Sequence, residues 1–133
     1  MSIFEGKTAL IIEDDDTSIR VMQQLLKQVN IPADVIWDSK KVKEQLNETS
    51  APDVVFLDLE MPSSNGYTVL EMIQKDDRFD GVPVVAYTTH ISHLNDARNA
   101  GFHSFLGKPV NGREFPIHLE KILNGENVWE VPM

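Results

Sequence analysis

Short apolar runs alternate with helical patterns five times along this chain, and this alternation limits the available folds more than any other feature. The run Val54–Leu57 is rich in β-branched and aromatic residues and is soon followed by turn-forming residues. Such a run is typical of a strand buried on both faces of a parallel sheet. Alternating strands and helices form right-handed crossovers with helices on both faces of the sheet. We therefore expect a flavodoxin-like doubly wound α/β fold, with a five-stranded parallel sheet in the order 2-1-3-4-5 and five helices.

The apolar runs place the predicted strands at residues 8–12, 33–37, 54–57, 82–87 and 102–106. Polar residues between them predict helix starts, the first capped by Asp16 or Thr17 and the second by Asp38 or Ser39. The last helix is expected to have an irregular first turn, because Pro116 has no backbone N–H to donate.

A chain of 133 residues is expected to form one domain. We place that domain at residues 1–123, followed by a C-terminal tail at residues 124–133. Trp129 in the tail is expected to pack against the domain, with a role as a partner anchor as the alternative.

The composition excludes several classes of function. The formal net charge is −9, which argues against a DNA partner because phosphate binding depends on clustered Lys and Arg. The chain has no cysteine, so it has neither a disulfide nor a thiolate metal site. Its apolar runs are shorter than the roughly 18 residues that a membrane-spanning helix needs, and its first residues lack the apolar core of a secretion signal. We expect a cytoplasmic protein with no membrane partner.

Polar side chains follow four of the predicted strands. Glu13 and Asp14 follow the first strand, Asp58 the third, Thr88 the fourth and Lys108 the fifth. In the predicted order the first and third strands are neighbours at the edge where ligands bind, so these acids should converge. Converging carboxylates repel one another, and a hard divalent cation such as Mg²⁺, or Mn²⁺ in its place, relieves the repulsion. Asp58 is then a candidate nucleophile toward a phosphoryl group that Lys108 and Thr88 would contact.

This arrangement resembles the receiver domain of two-component response regulators over nearly the whole chain. The residues that carry the resemblance are Ile11-Ile12-Glu13-Asp14, Asp58-Leu59-Glu60-Met61-Pro62 with Gly66, Val84-Val85-Ala86-Tyr87-Thr88, and Phe105-Leu106-Gly107-Lys108-Pro109.

The resemblance implies a role for each matched residue. It implies that Asp58 accepts a phosphoryl group from the phosphohistidine of a histidine kinase, and that Lys108 contacts that group and forms a cis bond with Pro109. The metal ligands that it implies are Asp14, Asp58, the Glu60 backbone carbonyl and, through water, Glu13. It also implies that Thr88 and Phe105 form a switch, in which the hydroxyl moves to the phosphate and the ring turns into the vacated space.

Two residues depart from the commonest receiver pattern. Thr89 stands where the family usually has Ala or Gly, which narrows access to Asp58. Phe105 replaces a frequent Tyr, which removes a hydroxyl but keeps the ring. These residues, together with Glu60 and His90, leave the lifetime of the phosphorylated state open.

The resulting prediction is a stand-alone response regulator, which acts as a phosphorylation switch and not as an enzyme, apart from slow self-dephosphorylation. Its output would pass to a downstream protein or, by transfer of the phosphoryl group, to a histidine phosphotransfer protein. One alternative is a phosphohydrolase similar to the haloacid dehalogenases, although these have a second Asp where this chain has Glu60. The other alternative is a non-catalytic binding module in which Asp58 only starts a turn. His90 and His93 are expected on a helix surface and not at a metal.

Overall fold

A computed structural model describes residues 2–132, and within this range a parallel sheet contains six strands. Met1 and Met133, the ends of the predicted domain and tail, lie outside the described residues. The strands in chain order are β1 Ala9–Ile12, β2 Ala33–Ile36, β3 Val54–Leu57, β4 Glu60–Met61, β5 Ser64–Asn65, β6 Val84–Thr88, β7 Ser104–Gly107 and β8 Trp129–Glu130. The large sheet has the order β2-β1-β3-β6-β7-β8, while β4 and β5 form a small antiparallel hairpin. The five predicted strands thus occur in the predicted order, and a sixth strand from the tail extends the sheet.

Helices pack on both faces of this sheet, which confirms the predicted fold class. Their bounds are α1 Asp16–Gln28, α2 Val42–Glu48, α3 Gly66–Gln74, α4 Leu94–Ala100 and α5 Phe115–Leu123. Buried residues of α1 and α5 share one apolar cluster with one face of the sheet, and those of α2, α3 and α4 share a second cluster with the other face. All four residues of β1 and of β3 are buried, as expected for strands covered on both sides.

Both predicted helix starts were wrong in detail. The cap of α1 is Asp15, whose carboxylate accepts a bond from the Ser18 backbone N–H at 2.9 Å. The position before α2 is Lys41, because Asp38 closes a turn in which its carbonyl accepts from Lys41 and its carboxylate from Lys40. The helix therefore starts later than predicted.

The start of the last helix is irregular around Pro116, as expected, because the Phe115 N–H donates to the Asn111 carbonyl as in a helix but residues 112–114 form turns. Helix α5 begins at Phe115, so the proline lies in its first turn, where backbone N–H groups have no partner within the helix. Before it, Asn111 accepts bonds from the N–H groups of Arg113 and Glu114.

Each helix between residues 2 and 132 is too short or too polar to span a membrane.

Candidate functional site

Three carboxylates meet at the carboxyl edge of the central strands. Strands β1 and β3 pair in parallel with Ile12 opposite Leu57, so the residues that follow each strand lie side by side. The Asp58 N–H donates to the Ile12 carbonyl at 3.0 Å, which fixes the position of Asp58. Carboxylate oxygens of Glu13, Asp14 and Asp58 all lie within 4.8 Å of one another. Glu13 and Asp58 are buried and Asp14 is exposed, so the cluster opens to solvent on the Asp14 side.

Burial, together with the hydrogen bond and charge of the neighbouring Asp58, raises the pKa of Glu13 to about 7. The nearby Lys108 opposes this rise. The site therefore concentrates negative charge where water cannot screen it fully.

Lys108 extends from the end of β7 toward the acids. Its ammonium donates to a Glu13 carboxylate oxygen and to the Ser18 hydroxyl, the latter at 2.8 Å, and it lies 4.5 Å from the centre of the Tyr87 ring. The Lys108-Pro109 bond is cis, as the resemblance implied. The amine that was predicted to contact a phosphoryl group is thus held beside the carboxylates by Glu13 and Ser18.

Ser18 and Tyr87 were not predicted to belong to the site. The Tyr87 hydroxyl donates to the Ser18 carbonyl at 3.0 Å, and burial raises the Tyr87 pKa, so the phenol stays neutral. A hydroxyl residue soon after an acidic strand end was the available sequence signal for Ser18, but only the fold shows that Lys108 reaches it.

Thr88 and Phe105, the predicted switch pair, are both fully buried on neighbouring strands. The Thr88 hydroxyl accepts a bond from the His90 N–H at 3.1 Å, so it holds the loop that follows β6. Phe105 is paired with Ala86 across the strands, two residues before Thr88.

Glu60 borders the site through its backbone and faces solvent with its side chain. Its N–H donates to an Asp58 carboxylate oxygen at 3.4 Å. Its carboxylate lies 2.9 Å from His90 Nε2 and 3.7 Å from His93 Nε2, so both histidines lie beside Glu60 on the surface.

Gly66 allows the loop after Asp58 to fold back against the backbone. A Cβ at this position would lie 2.7 Å from the Asp58 carbonyl oxygen and 2.7 Å from the Leu59 Cα. Only glycine allows this approach, which brings the first residue of α3 against the backbone of Asp58 and Leu59.

The donors of the acidic cluster suit a hard divalent cation. They are carboxylate oxygens from two adjacent strand ends, with one exposed residue that leaves room for retained water.

A second cluster, which the sequence did not predict, joins α5 to β8. There His118 Nε2 lies 3.7 Å from a Glu114 carboxylate oxygen and 3.8 Å from a Glu130 carboxylate oxygen.

Comparisons with known proteins identify relatives of this arrangement. A family model for the response regulator receiver domain matches residues 9–120. Stress response regulator protein 1 of Candida albicans is 31% identical over 106 residues, which are 77% of this chain and 37% of that protein. This chain thus spans little more than a third of the length of that relative.

Solved structures show the same fold. Chemotaxis response regulator CheY4 of Vibrio cholerae superimposes with a TM-score of 0.76 at 17% identity, over 87% of this chain and 98% of that one. The receiver domain of sensor histidine kinase PA1611 of Pseudomonas aeruginosa PAO1 gives 0.76 at 21% identity, over 90% and 98%. That structure has a magnesium ion coordinated in its active site cleft.

Proposed function

The chain belongs to the response regulator receiver domain family, and we propose that Asp58 is the residue at which it is phosphorylated. The observation that carries this proposal is the position of Asp58, at the end of the central strand β3 and within 4.8 Å of the Glu13 and Asp14 carboxylate oxygens. Receiver domains act as phosphoacceptor switches, and the family match favours this function over the hydrolase and scaffold alternatives.

Asp58 is suited to nucleophilic attack on phosphorus. A carboxylate oxygen forms the new O–P bond, while the P–N bond of a donor phosphohistidine breaks and its electron pair returns to the imidazole. The Glu60 N–H helps to orient the attacking carboxylate. When bound by Asp14, Asp58, the Glu60 carbonyl and, through water, Glu13, Mg²⁺ supplies charge that offsets the repulsion between carboxylate and phosphoryl oxygens. Mn²⁺ has the same preference for oxygen ligands.

Lys108 and Thr88 respond to the new phosphoryl group. The Lys108 ammonium, now bonded to Glu13 and Ser18, can exchange Glu13 for a phosphoryl oxygen at short range. The Thr88 hydroxyl exchanges its bond with the His90 N–H for one to the phosphate, and Phe105 follows by filling the space behind it. Phosphorylation is in this way converted into a change at β7.

The partners follow from this chemistry. The donor is a histidine kinase, and the output is either a downstream protein that binds the changed surface or a histidine phosphotransfer protein that takes the phosphoryl group. Both reactions belong in the cytoplasm. Asp58 is phosphorylated once per cycle, and the chain catalyses only the slow hydrolysis of its own phosphoryl group. The rate of this hydrolysis depends on Thr89, Glu60 and His90 around Asp58.

Labelling with acetyl phosphate and Mg²⁺ tests this function. The O–P bond of acetyl phosphate breaks as acetate leaves, so the chain should gain one phosphate in intact-mass spectra, and hydroxylamine should remove it. Asp58→Asn should abolish the label, whereas Asp80→Asn, which changes an exposed acid elsewhere, should retain it. Undiminished label in Asp58→Asn would move the acceptor to another residue. Continuous release of phosphate would support the hydrolase, and no label in the wild type would support the inert scaffold.

A further inference from the structure

The C-terminal residues 127–132, here named the tail segment, are built into the edge of the sheet. The Val128 carbonyl accepts from the Phe105 N–H at 2.8 Å, and β8 continues in parallel register with β7. Val128 enters the apolar cluster on one face, while Trp129 and Val131 pack against the cluster on the other face. This period-two pattern is typical of a real strand, although β8 has only two residues.

Side chains of α4 and α5 and a backbone carbonyl of the loop before β7 hold this segment in place. The Arg98 guanidinium stacks 4.6 Å from the centre of the Trp129 ring. The Glu130 carboxylate lies beside His118 of α5, and the Asn127 amide donates to the His103 carbonyl at 2.7 Å. The tail segment therefore covers the edge of β7 between α4 and α5.

The tail segment meets the proposed switch at Gly107, the residue immediately before Lys108. A Cβ on Gly107 would lie 2.7 Å from Pro132 Cδ and 3.0 Å from Ile91 Cγ2. Ile91 follows His90, whose N–H is held by the Thr88 hydroxyl. Gly107 is thus in close contact both with the end of the tail segment and with the loop that Thr88 holds.

We propose that the tail segment is a displaceable strand that covers a binding surface on the edge of β7, and that phosphorylation of Asp58 loosens it. This inference rests on the proposed function. When the Thr88 hydroxyl leaves His90, the loop with Ile91 is released from Thr88. When Lys108 moves toward the phosphoryl group, the neighbouring Gly107 moves with it. Both movements alter the packing of Gly107 against Ile91 and Pro132. Strand β8 depends on this packing at Gly107, because a strand of two residues forms few hydrogen bonds with β7.

The uncovered surface suits an extended segment of a partner protein. Release of the tail segment would free the backbone N–H and C=O groups of β7, which bind a strand of another chain by the pairing that β8 now uses. The pattern of the tail segment, apolar at positions 128, 129 and 131, indicates the side chains that the surface accepts.

Energetic coupling between the two sites is reciprocal. If binding of a phosphoryl mimic favours release of the tail segment by some factor, full release of the tail segment favours binding of the mimic by the same factor, and a weakened tail segment gains part of it. Trp129→Ala, which removes the ring under Arg98, should therefore increase the affinity for beryllofluoride, a phosphoryl mimic, whereas Trp129→Phe should retain most of the wild-type behaviour. Arg98→Ala removes the same contact from the exposed side and serves as a second variant if Trp129→Ala does not fold.

Hydrogen exchange on the full chain with Mg²⁺ tests the inference directly. Beryllofluoride should accelerate amide exchange in residues 127–132 by about tenfold, while exchange in β1 and β3 stays unchanged. A fluorescein-labelled peptide with the sequence of residues 126–132 should bind the loaded chain more tightly than the unloaded one.

The possible failures are distinguishable. A chain that acetyl phosphate labels at Asp58, but whose tail segment exchanges at the same rate with and without beryllofluoride, would overturn this inference and leave the proposed function intact. So would unchanged beryllofluoride affinity in both tail variants, or absence of peptide binding to the loaded chain. A chain that takes no label would overturn the proposed function, and this inference with it.

Discussion

Replacing Glu13 by Gln isolates the electrostatic cost of the acidic cluster. Glu13 is fully buried, and burial together with the neighbouring Asp58 raises its pKa from 4.5 to about 7. Between these two values the folded protein holds a proton that the unfolded chain has lost, so the free energy of unfolding falls as the pH rises. In Glu13→Gln this source of pH dependence is absent, since an amide does not titrate in the range.

The size of the effect follows from the same pKa values. One pKa unit corresponds to about 1.4 kcal/mol, so the wild type should lose on the order of 3 kcal/mol of stability between pH 5 and pH 8 through this group. Burial lowers the pKa of His103, which makes the folded state less stable at low pH and thus acts with the opposite sign. His103 is common to both proteins, and the difference between them isolates Glu13.

Urea denaturation in EDTA at a series of pH values measures the difference, and Glu44→Gln, a change of an exposed acid on α2, is the control. Millimolar Mg²⁺ should flatten the wild-type pH dependence, because the ion favours the ionised carboxylates. The same ion should stabilise Glu13→Gln less than it stabilises the wild type. If Glu13→Gln showed the same fall in stability with pH as the wild type, the assignment of this cost to Glu13 would be wrong.

Substitutions at three further residues test how the helices that follow the site and the core are held. Gly66→Ala should cost at least about 2 kcal/mol, because the new methyl group would meet the Asp58 backbone at 2.7 Å; thermal melting that matched the wild type would contradict this. Asn65→Ala should cost about 1 kcal/mol, because the Asn65 side chain caps α3 by accepting from the Tyr67 N–H. Asn65→Asp keeps the acceptor and should restore the urea midpoint. Phe115→Ala should cost about 3–5 kcal/mol, since its ring is fully buried under α5, and a loss below about 1 kcal/mol would show that the site repacks.

The order of the strands was predictable because each strand carries its own signal. Runs such as Val54–Leu57 are apolar on both faces, and that pattern needs no knowledge of the neighbouring strands. The bounds were less predictable. Strand β6 begins at Val84, two residues later than predicted, because its start is set by pairing with β3, where Val84 lies opposite Val55. Pairing of this kind depends on residues distant in the chain.

The candidate site likewise contains features that strand order predicts and features that depend on distant packing. The convergence of Glu13, Asp14 and Asp58 follows from strand order alone, because all three are attached directly to strand ends. The contacts of Lys108 do not, since its long side chain selects Glu13 and Ser18 according to the packing of α1 against the sheet. The position of a residue at a strand end is therefore predictable from the fold class, whereas the individual partners of a long side chain such as Lys108 are not.

Gly107 shows why the sixth strand was missed. In the sequence, Gly107 is part of the motif Phe105-Leu106-Gly107-Lys108-Pro109. Because the motif already accounts for a glycine at this position, the sequence does not indicate that a covering strand also requires one. In the structure Pro132 and Val131 pass directly over it, so the residue that precedes the proposed phosphate-contacting lysine is also the one that a covering strand requires to be small. Gly107→Ala should therefore disturb the tail segment and the position of Lys108 together. Trp129→Ala should disturb the tail segment and leave Lys108 in place, so acetyl phosphate labelling should fall in Gly107→Ala and not in Trp129→Ala. Equal labelling of the two variants would contradict a separate effect of Gly107 on Lys108.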